Sequence, residues 1–261
     1  MRQPPTSRCT RLLMAAIAGT MLLLGGCTHF AFGTRTSLEV DGPVVVDIVT
    51  FAGDVTIRST GNAPGEPYVL VKPSATHGFH RMGDAQASLD EIDWSVETVE
   101  EGGRTVVRVR ADTLYPESGM QRLHVTVSAA DVDGLRVKTR LGDVDVLDIQ
   151  GPIDIDTTRG DISIVTNRPL HGPISAMTTE GDITLRAPPQ TSGRLDFFTG
   201  DGRVTCSVPD SKLRVTGRTG ERSFQGILND GHEPITLRTN DGRVRVVVKT
   251  YPYQQSSLLF D

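Results

Sequence analysis

Most of this chain alternates apolar and polar residues with a period of two, which predicts β-strands that bury one face. The clearest stretch begins at Ile153. An alternating segment ends on Thr157, a short turn ends on Gly160, and Asp161 opens a second alternating segment that ends at Ile164. This unit predicts strand, turn and strand with the apolar side chains on one face. Glycine suits the end of the turn because it adopts a positive φ at no steric cost.

The same unit recurs in one frame, T-x-x-G-D-[IV]-x-[IVL]. An early copy stands apart from a later series, and the full copies span residues 46–57, 135–146, 153–164, 174–185, 195–206 and 235–246. A weaker copy at 213–224 has Gly217 in place of threonine and Arg222 in place of an apolar residue, while Arg203 and Arg243 replace aspartate in two others. The predicted turn glycines are Gly53, Gly142, Gly160, Gly181, Gly202 and Gly242.

The spacing of the copies suggests how they pack. From residue 139 onward the equivalent threonine positions lie 18 to 22 residues apart. A period of this length is typical of a β-solenoid (a single-stranded β-helix), in which each rung buries its apolar face by stacking on the next. Dipeptides such as Asp201-Gly202 could also close hairpins and produce an antiparallel β-sandwich. The regular period and the identity of aligned positions favour an all-β solenoid over residues 135–250.

Between residues 57 and 135 the repeat is absent but the alternation continues. Runs at 68–72, 92–99, 105–110 and 123–127 predict an antiparallel meander, which with the early copy forms a unit over residues 38–134. Residues 73–83 indicate a loop, and residues 84–91 one short helix. The tail at 251–261 is predicted to cap the last rung, whose edge would otherwise be exposed.

The N-terminus has a different pattern. Three arginines and no acidic residue precede an apolar run at 12–24. The run is shorter than the ~20 residues of a membrane-spanning helix and has the length of a signal-peptide core. It ends in Leu24-Gly25-Gly26-Cys27, which resembles the lipobox of bacterial lipoproteins. We therefore expect a signal peptide over residues 1–26, lipidation of Cys27, and a tether over residues 27–37.

Removal of the signal peptide changes the charge of the chain. The mature form would carry 24 basic and 32 acidic residues, a net charge of −8. This balance argues against nucleic acid or an anionic membrane surface as the main partner, since both require basic patches. Apart from the lipidated Cys27, only Cys206 would remain, so no intrachain disulfide can form. A mature chain of 235 residues is long enough to form a hydrophobic core that is stable without one.

The repeated T-x-x-G-D-[IV]-x-[IVL] unit, with its early separate copy and the meander before the main series, resembles a bacterial cell-envelope family. That family consists of domains of unknown function labelled as candidate adhesins. The resemblance covers about residues 38–249. It implies a β-helical fold, an envelope location and no established enzymatic activity, and it brings no agreed functional residues to this chain.

Three turn carboxylates would stack on adjacent rungs as a ladder of like charges: Asp143, Asp161 and Asp182. Such a ladder requires a cation, neighbouring arginines or solvent to offset the repulsion. Arg140 and Arg159 lie beside these turns. A calcium ion needs six to eight oxygen ligands, and the Gly-Asp density of calcium-binding nonapeptide repeats is absent. We therefore favour structural turns with solvated charges.

Other candidate sites are weak. His77 and His80 have the spacing of metal ligands, but no third ligand is spaced to complete a catalytic zinc site. Cys206 takes an inward position in its rung. The sequence has no Gly-x-Ser-x-Gly, His-Glu-x-x-His or phosphate-binding loop, so no catalytic residue, metal or cofactor is expected. Outward-facing acids could still form a groove: Asp145, Asp154, Asp156 and Asp196.

The leading hypothesis is a non-catalytic, lipid-anchored envelope protein, an adhesin-like or structural scaffold for a protein or glycan. The alternative is a carbohydrate-active β-helix enzyme, either a polysaccharide lyase or a hydrolase, that uses such a groove. Thr28 rather than aspartate follows Cys27. By resemblance to known lipoproteins this implies the outer membrane of a two-membrane host, with the solenoid facing the periplasm or the exterior.

Overall fold

The structure, a computed structural model, describes residues 27–30, 32–61, 65–77, 82–115, 120–209, 212–217 and 219–254. The predicted signal peptide lies outside this part of the chain. The elements up to residue 129 are β1 (Cys27–Phe30), β2 (Thr34–Ser37), β3 (Val44–Val49), β4 (Val55–Ser59), β5 (Tyr68–His77), α1 (Met82–Asp90), β6 (Ile92–Glu101), β7 (Arg104–Thr113) and β8 (Gln121–Ala129). The later elements are β9 (Val132–Leu141), β10 (Val144–Leu147), β11 (Gln150–Arg159), β12 (Ile162–Val165), β13 (Ile174–Glu180), β14 (Ile183–Ala187), β15 (Gly193–Asp201), β16 (Val204–Ser207), β17 (Leu213–Val215), β18 (Ser223–Leu228), β19 (Pro234–Asp241) and β20 (Val244–Val248).

These strands form two sheets around one apolar core. The first sheet has the order β1-β5-β8-β4-β10-β12-β14-β20-β16, with β2 also beside β5. The second has the order β17-β18-β15-β19-β13-β11-β9-β3-β7-β6. In each full copy of the repeat, the turn carries the chain from the second sheet to the first.

Equivalent strands of different copies pair in parallel and in register. Thr157 pairs with Thr139 on one side and with Thr178 on the other, whereas Ile162 lies in the opposite sheet. A hairpin would instead pair Thr157 with Ile162. The fold is therefore all-β and solenoid-like, and these registers are those of stacked rungs rather than of a hairpin sandwich.

The inward positions of each rung form the core. In one copy Ile153, Ile155, Ile162 and Ile164 are at most 2% exposed. Full burial of one such side chain contributes about 1.5–3 kcal/mol. Since a single rung would leave both of its edges open to water, this burial is achieved only when copies stack.

The stacking order departs from the chain order at its end. The last copy, at 235–246, lies between the copies at 174–185 and 195–206, because Val244 pairs with both Ile183 and Val204. Both edges of this last copy are thus paired with neighbouring rungs, so it has no open edge of the kind that the tail was predicted to cap. Tyr253 instead donates its hydroxyl to the carbonyl of Val165 at 3.4 Å. Residues 255–261 lie outside the described part.

The weak copy at 213–224 is not a rung. β17 pairs antiparallel with β18, and β18 pairs antiparallel with β15, which covers the outer edge of β15. Phe224 stacks on Phe197 with ring centroids 5.9 Å apart. The irregular residues Gly217 and Arg222 mark where the repeat frame is interrupted by this hairpin.

The predicted meander is divided between the sheets. β6 pairs with β7, which continues parallel to β3 in the second sheet, whereas β5 pairs with β8, which continues parallel to β4 in the first. Each sheet would otherwise end in an open strand edge, so each is covered by its own antiparallel pair. The helix α1 lies where the sequence predicts one, and β5 extends through Pro73 to His77 into the predicted loop.

Residues 27–37 also differ from the predicted tether. β1 and β2 pair antiparallel with β5, with Cys27 opposite His77 and Thr34 opposite Val71. The free edge of β5 offers backbone partners that a solvated tether would lack. Within the described residues, no helix has the length and apolarity to cross a membrane.

Candidate binding site: the turn columns and the arginine cleft

The six predicted turn glycines form one column along the stack. Their φ angles lie between +119° and +150°, in the region that favours glycine. A Cβ placed on Gly160 would lie 2.0 Å from the carbonyl oxygen of Gly142, and one on Gly181 would lie 2.1 Å from that of Gly160. The turns thus require glycine for both the backbone angle and the close approach of adjacent rungs.

The threonines before these turns are buried, and three of them, Thr178, Thr199 and Thr239, bond to a neighbouring rung. Thr199 donates its hydroxyl to the carbonyl of Gly242 at 2.7 Å, and Thr239 donates to that of Gly181 at 2.9 Å. Both side chains are at most 3% exposed. These bonds satisfy turn carbonyls that the sheet ladder does not reach.

The predicted ladder aspartates do lie on adjacent rungs, together with Asp54 of the early copy. The backbone N–H of Asp143 donates to Asp54 Oδ1 at 3.1 Å, that of Asp161 to Asp143 Oδ1 at 2.9 Å, and that of Asp182 to Asp161 Oδ1 at 2.8 Å. Each carboxylate therefore accepts a hydrogen bond from the turn of the next rung. These N–H groups offset part of the repulsion between the like charges.

Arg159, one of the two arginines expected to neutralise the ladder, has a different partner. Its Nε donates to Glu180 Oε2 at 2.8 Å, on the neighbouring rung of the second sheet. This hydrogen bond lowers the pKa of Glu180. The pair is exposed and lies across the strands of the second sheet.

The charge of the turn column changes sign after Asp182, where Arg243 and then Arg203 take the equivalent position. The backbone N–H of Arg243 donates to Asp182 Oδ1 at 2.7 Å, and its Nε and Nη2 donate to Oδ2 at 3.0 and 2.6 Å. Partial burial acts to raise the pKa of Asp182, but the bonds from Arg243 outweigh it and lower this pKa. Arg243 therefore donates to the last carboxylate of the aspartate ladder, where the series of aspartates ends.

Arg203, Arg243 and Arg245 converge at the β16 end of the first sheet. Arg245 lies on the outer face of β20, opposite Thr184 on one side and Thr205 on the other. The three arginines line an open cleft of about 520 Å³, whose wall also includes Asp182, Thr184, Thr205, Cys206, Ser207, Val246 and Val247. We call this the arginine cleft. Burial raises the pKa of the Cys206 thiol to about 11, so it is protonated at neutral pH.

The sequence contained only part of the signal for this cleft. Arg203 and Arg243 depart from the repeat frame, and Arg245 follows Arg243 by two residues, which places both on one face. Their grouping depends on the insertion of β20 beside β16, which the chain order does not indicate.

The acids predicted to line a catalytic groove do not converge. Asp145 lies on the outer face of the first sheet, whereas Asp154, Asp156 and Asp196 lie on the outer face of the second. Asp196 accepts a hydrogen bond from Arg238 at 2.6 Å. The predicted groove is therefore wrong, because alternation places these residues outward on opposite sides of the molecule.

The histidines show no metal centre in the described chain. His77 Nε2 lies 2.8 Å from Ser88 Oγ of α1, and His80 lies outside the described residues. No three His, Cys, Asp or Glu side chains of the described part group as a metal site would require.

A second cleft, which the sequence did not indicate, lies at the β6 end of the second sheet. Its volume is about 460 Å³, and its wall includes Phe51, Asp93, Trp94, Arg110 and Asp112. Asp93 and Asp112 are cross-strand partners of β6 and β7. The one feature of the sequence that could have drawn attention to this region is Trp94, the single tryptophan of the chain.

Comparisons with known proteins bear on the fold. The solved structure of a candidate cell adhesion protein from Clostridium sporogenes ATCC 15579 is 12% identical, covers 83% of this chain and 99% of its own, and aligns with a TM-score of 0.54. A candidate adhesin from Bacteroides fragilis NCTC 9343 is 9% identical and covers 82% and 97%, but its TM-score of 0.31 is too low to support an argument. No curated protein matches the chain. The model of the Toastrack DUF4097 family matches residues 93–247, from β6 to β20, and the chain therefore belongs to that family.

Proposed function

We propose that this protein is a non-catalytic, lipid-anchored protein of the bacterial cell envelope that acts as an adhesin-like binding scaffold. The observation that carries the proposal is the distribution of charge over the stack. Among the outward acids, Asp196 is bound by Arg238 and Asp161 by the backbone N–H of Asp182, whereas the arginine cleft brings together three arginines and one carboxylate. Such a surface suits binding rather than acid–base chemistry at a sugar, which needs paired carboxyls.

The direction of the stack supports anchoring at one end. β1 begins at Cys27 at one edge of the first sheet, and β16 forms the opposite edge of the nine-strand order. Eight steps of about 4.8 Å separate these edges by roughly 38 Å. Acyl chains on Cys27, each adding ~0.8 kcal/mol per buried CH₂, would hold the β1 end at the membrane. The arginine cleft would then face away from it.

The test of anchoring compares the two cysteines of the mature chain. Cys27→Ala should abolish palmitate labelling and shift the protein out of the processed membrane fraction, whereas Cys206→Ala should leave both unchanged. We expect the wild type in the outer-membrane fraction of a density gradient, since Thr28 follows Cys27. Cys27→Ala protein that stays membrane-bound at its processed mass would contradict lipidation. Recovery of the wild type with inner-membrane markers would contradict the location.

The alternative, a carbohydrate-active enzyme, has one supporting observation in the second cleft. Asp93 and Asp112 are directly opposed across β6 and β7, beside Trp94. Opposed residues have Cβ atoms about 4.5–5.5 Å apart, close to the carboxyl separation of about 5–5.5 Å in retaining glycosidases. Hydrolysis of envelope polysaccharides that is lost in both Asp93→Asn and Asp112→Asn would favour this alternative over the scaffold.

A further inference from the structure

Three arginines converge near the β16 edge of a chain whose predicted mature form is acidic. The outer turn column carries Asp54, Asp143, Asp161 and Asp182 on four successive rungs, and only the last two rungs carry arginine. Adjacent strands lie about 4.8 Å apart, and residues two apart on one strand lie about 6.7 Å apart. The arginines of the cleft are therefore close enough for two guanidinium groups to bind the same anionic group.

The acids near the cleft leave part of this charge uncompensated. Asp182 accepts a hydrogen bond from the guanidinium of Arg243. Glu221 lies 3.6 Å from Arg203, and both of these side chains are well exposed. No side chain of the described residues pairs with Arg245. The cleft thus holds three arginines against two carboxylates, and the contact of Glu221 with Arg203 is one that a ligand carboxylate or phosphate can replace.

The size and the lining of the cleft point to more than a bare anion. A volume of about 520 Å³ is within the range of small-molecule sites, about 300–1,000 Å³. The hydroxyls of Thr184, Thr205 and Ser207 line it and can both donate and accept hydrogen bonds. Val247 adds an apolar contact, whereas Val246 is 1% exposed and belongs to the core. This combination fits a hydroxylated ring that carries an acidic group.

We infer that the arginine cleft binds an acidic sugar, with Arg203 and Arg245 holding its carboxylate or phosphate and the three hydroxyls contacting the ring. The inference specifies the ligand of the proposed binding function, and it rests on that proposal for the location of the protein in the cell envelope. Since the cleft lies roughly 38 Å from the β1 edge by strand spacing, the sugar belongs to an envelope polymer rather than to a headgroup of the anchoring membrane.

The experiment is calorimetric titration of the full-length, detergent-solubilised protein with four probes: glucuronate, glucose 6-phosphate, inorganic phosphate and glucose. We expect both acidic sugars to bind more tightly than phosphate, and glucose not to bind. Arg245→Gln should weaken binding about tenfold, the usual scale of one lost charge-assisted contact, and Arg203→Gln should act in the same direction. Glu221→Gln should strengthen binding several-fold because it removes the competing carboxylate.

Arg58→Gln is the matched control, since Arg58 is an exposed arginine on the outer face of the same sheet, four strands from Arg245. It should leave the affinity unchanged. Equal weakening by Arg58→Gln, equal binding of glucose, phosphate as tight as glucose 6-phosphate, or no binding of acidic sugars to a folded protein would each overturn the inference. None of these readouts depends on membrane location, which the Cys27 variants test separately.

Discussion

The backbone N–H of Asp161 donates to the carboxylate of Asp143, one rung away, at 2.9 Å. The carboxylate of Asp161 in turn accepts from Asp182 at 2.8 Å. A column of like charges is thereby converted into a chain of charge-assisted hydrogen bonds between rungs. The aspartate of the repeat serves as a clamp between turns.

Two variants of Asp161 should distinguish the contribution of its hydrogen bond to stability from that of its charge. Asp161→Ala removes the acceptor for Asp182, and we expect it to lower the free energy of unfolding by about 1–2 kcal/mol. Asp161→Asn keeps an oxygen acceptor and should lose less. Urea unfolding measures both variants. Equal stability of Asp161→Ala and wild type, or calcium binding that disappears in Asp161→Ala, would contradict the clamp.

The glycine column predicts a severe effect from one methyl group. Gly160→Ala places a Cβ 2.0 Å from the carbonyl oxygen of Gly142 at a φ of +146°. We expect a loss of at least about 3 kcal/mol, because the backbone strain and the clash add. Gly102→Ala is the control, since its φ is also positive but its Cβ meets nothing within 4 Å. It should cost only about 1 kcal/mol. Similar losses in the two variants would indicate that the positive φ alone causes the loss of stability and that the clash adds nothing.

The pair of Asp182 and Arg243 predicts a pH dependence. The pKa of Asp182 is lowered in the folded state, so its contribution is present above the ordinary aspartate pKa of about 3.9. That contribution is lost as the pH falls through the lowered value. Arg243→Gln should therefore be less stable than wild type at neutral pH, and the gap should narrow in acid. Arg245→Gln, two residues further along the chain and without a partner among the described side chains, should show no such gap. A gap that is independent of pH would rule out the ion pair as its source.

The hairpin that replaces the weak copy is testable through one aromatic pair. Phe224 is 8% exposed and stacks on Phe197. Phe198, the next residue after Phe197, is 46% exposed. Phe224→Ala should cost about 3 kcal/mol by thermal or urea unfolding. Phe198→Ala should cost much less. The opposite ranking would contradict the register of β15 and β18.

Local patterns were sufficient to predict the rung. The alternation between Ile153 and Ile164, the buried Thr157 and the turn at Gly160 depend only on side-chain direction and backbone sterics within about ten residues. The N-terminal lipobox is local in the same sense and stays a prediction. What these patterns left open was whether the turn closes a hairpin, since the apolar faces agree in both geometries.

The order of the rungs was decided only by the tertiary structure. The copies present nearly equivalent edges, so the repeat does not specify which copy stacks on which. The segment after β16 folds back as β17 and β18 onto the outer edge of β15, and β19 can then pair only with its inner edge, beside β13. That insertion places β20 beside β16 and so brings Arg245 and Arg203 together. The rung follows from the amino-acid sequence because its forces are local, whereas the cleft follows from a competition between distant strands for the same edge.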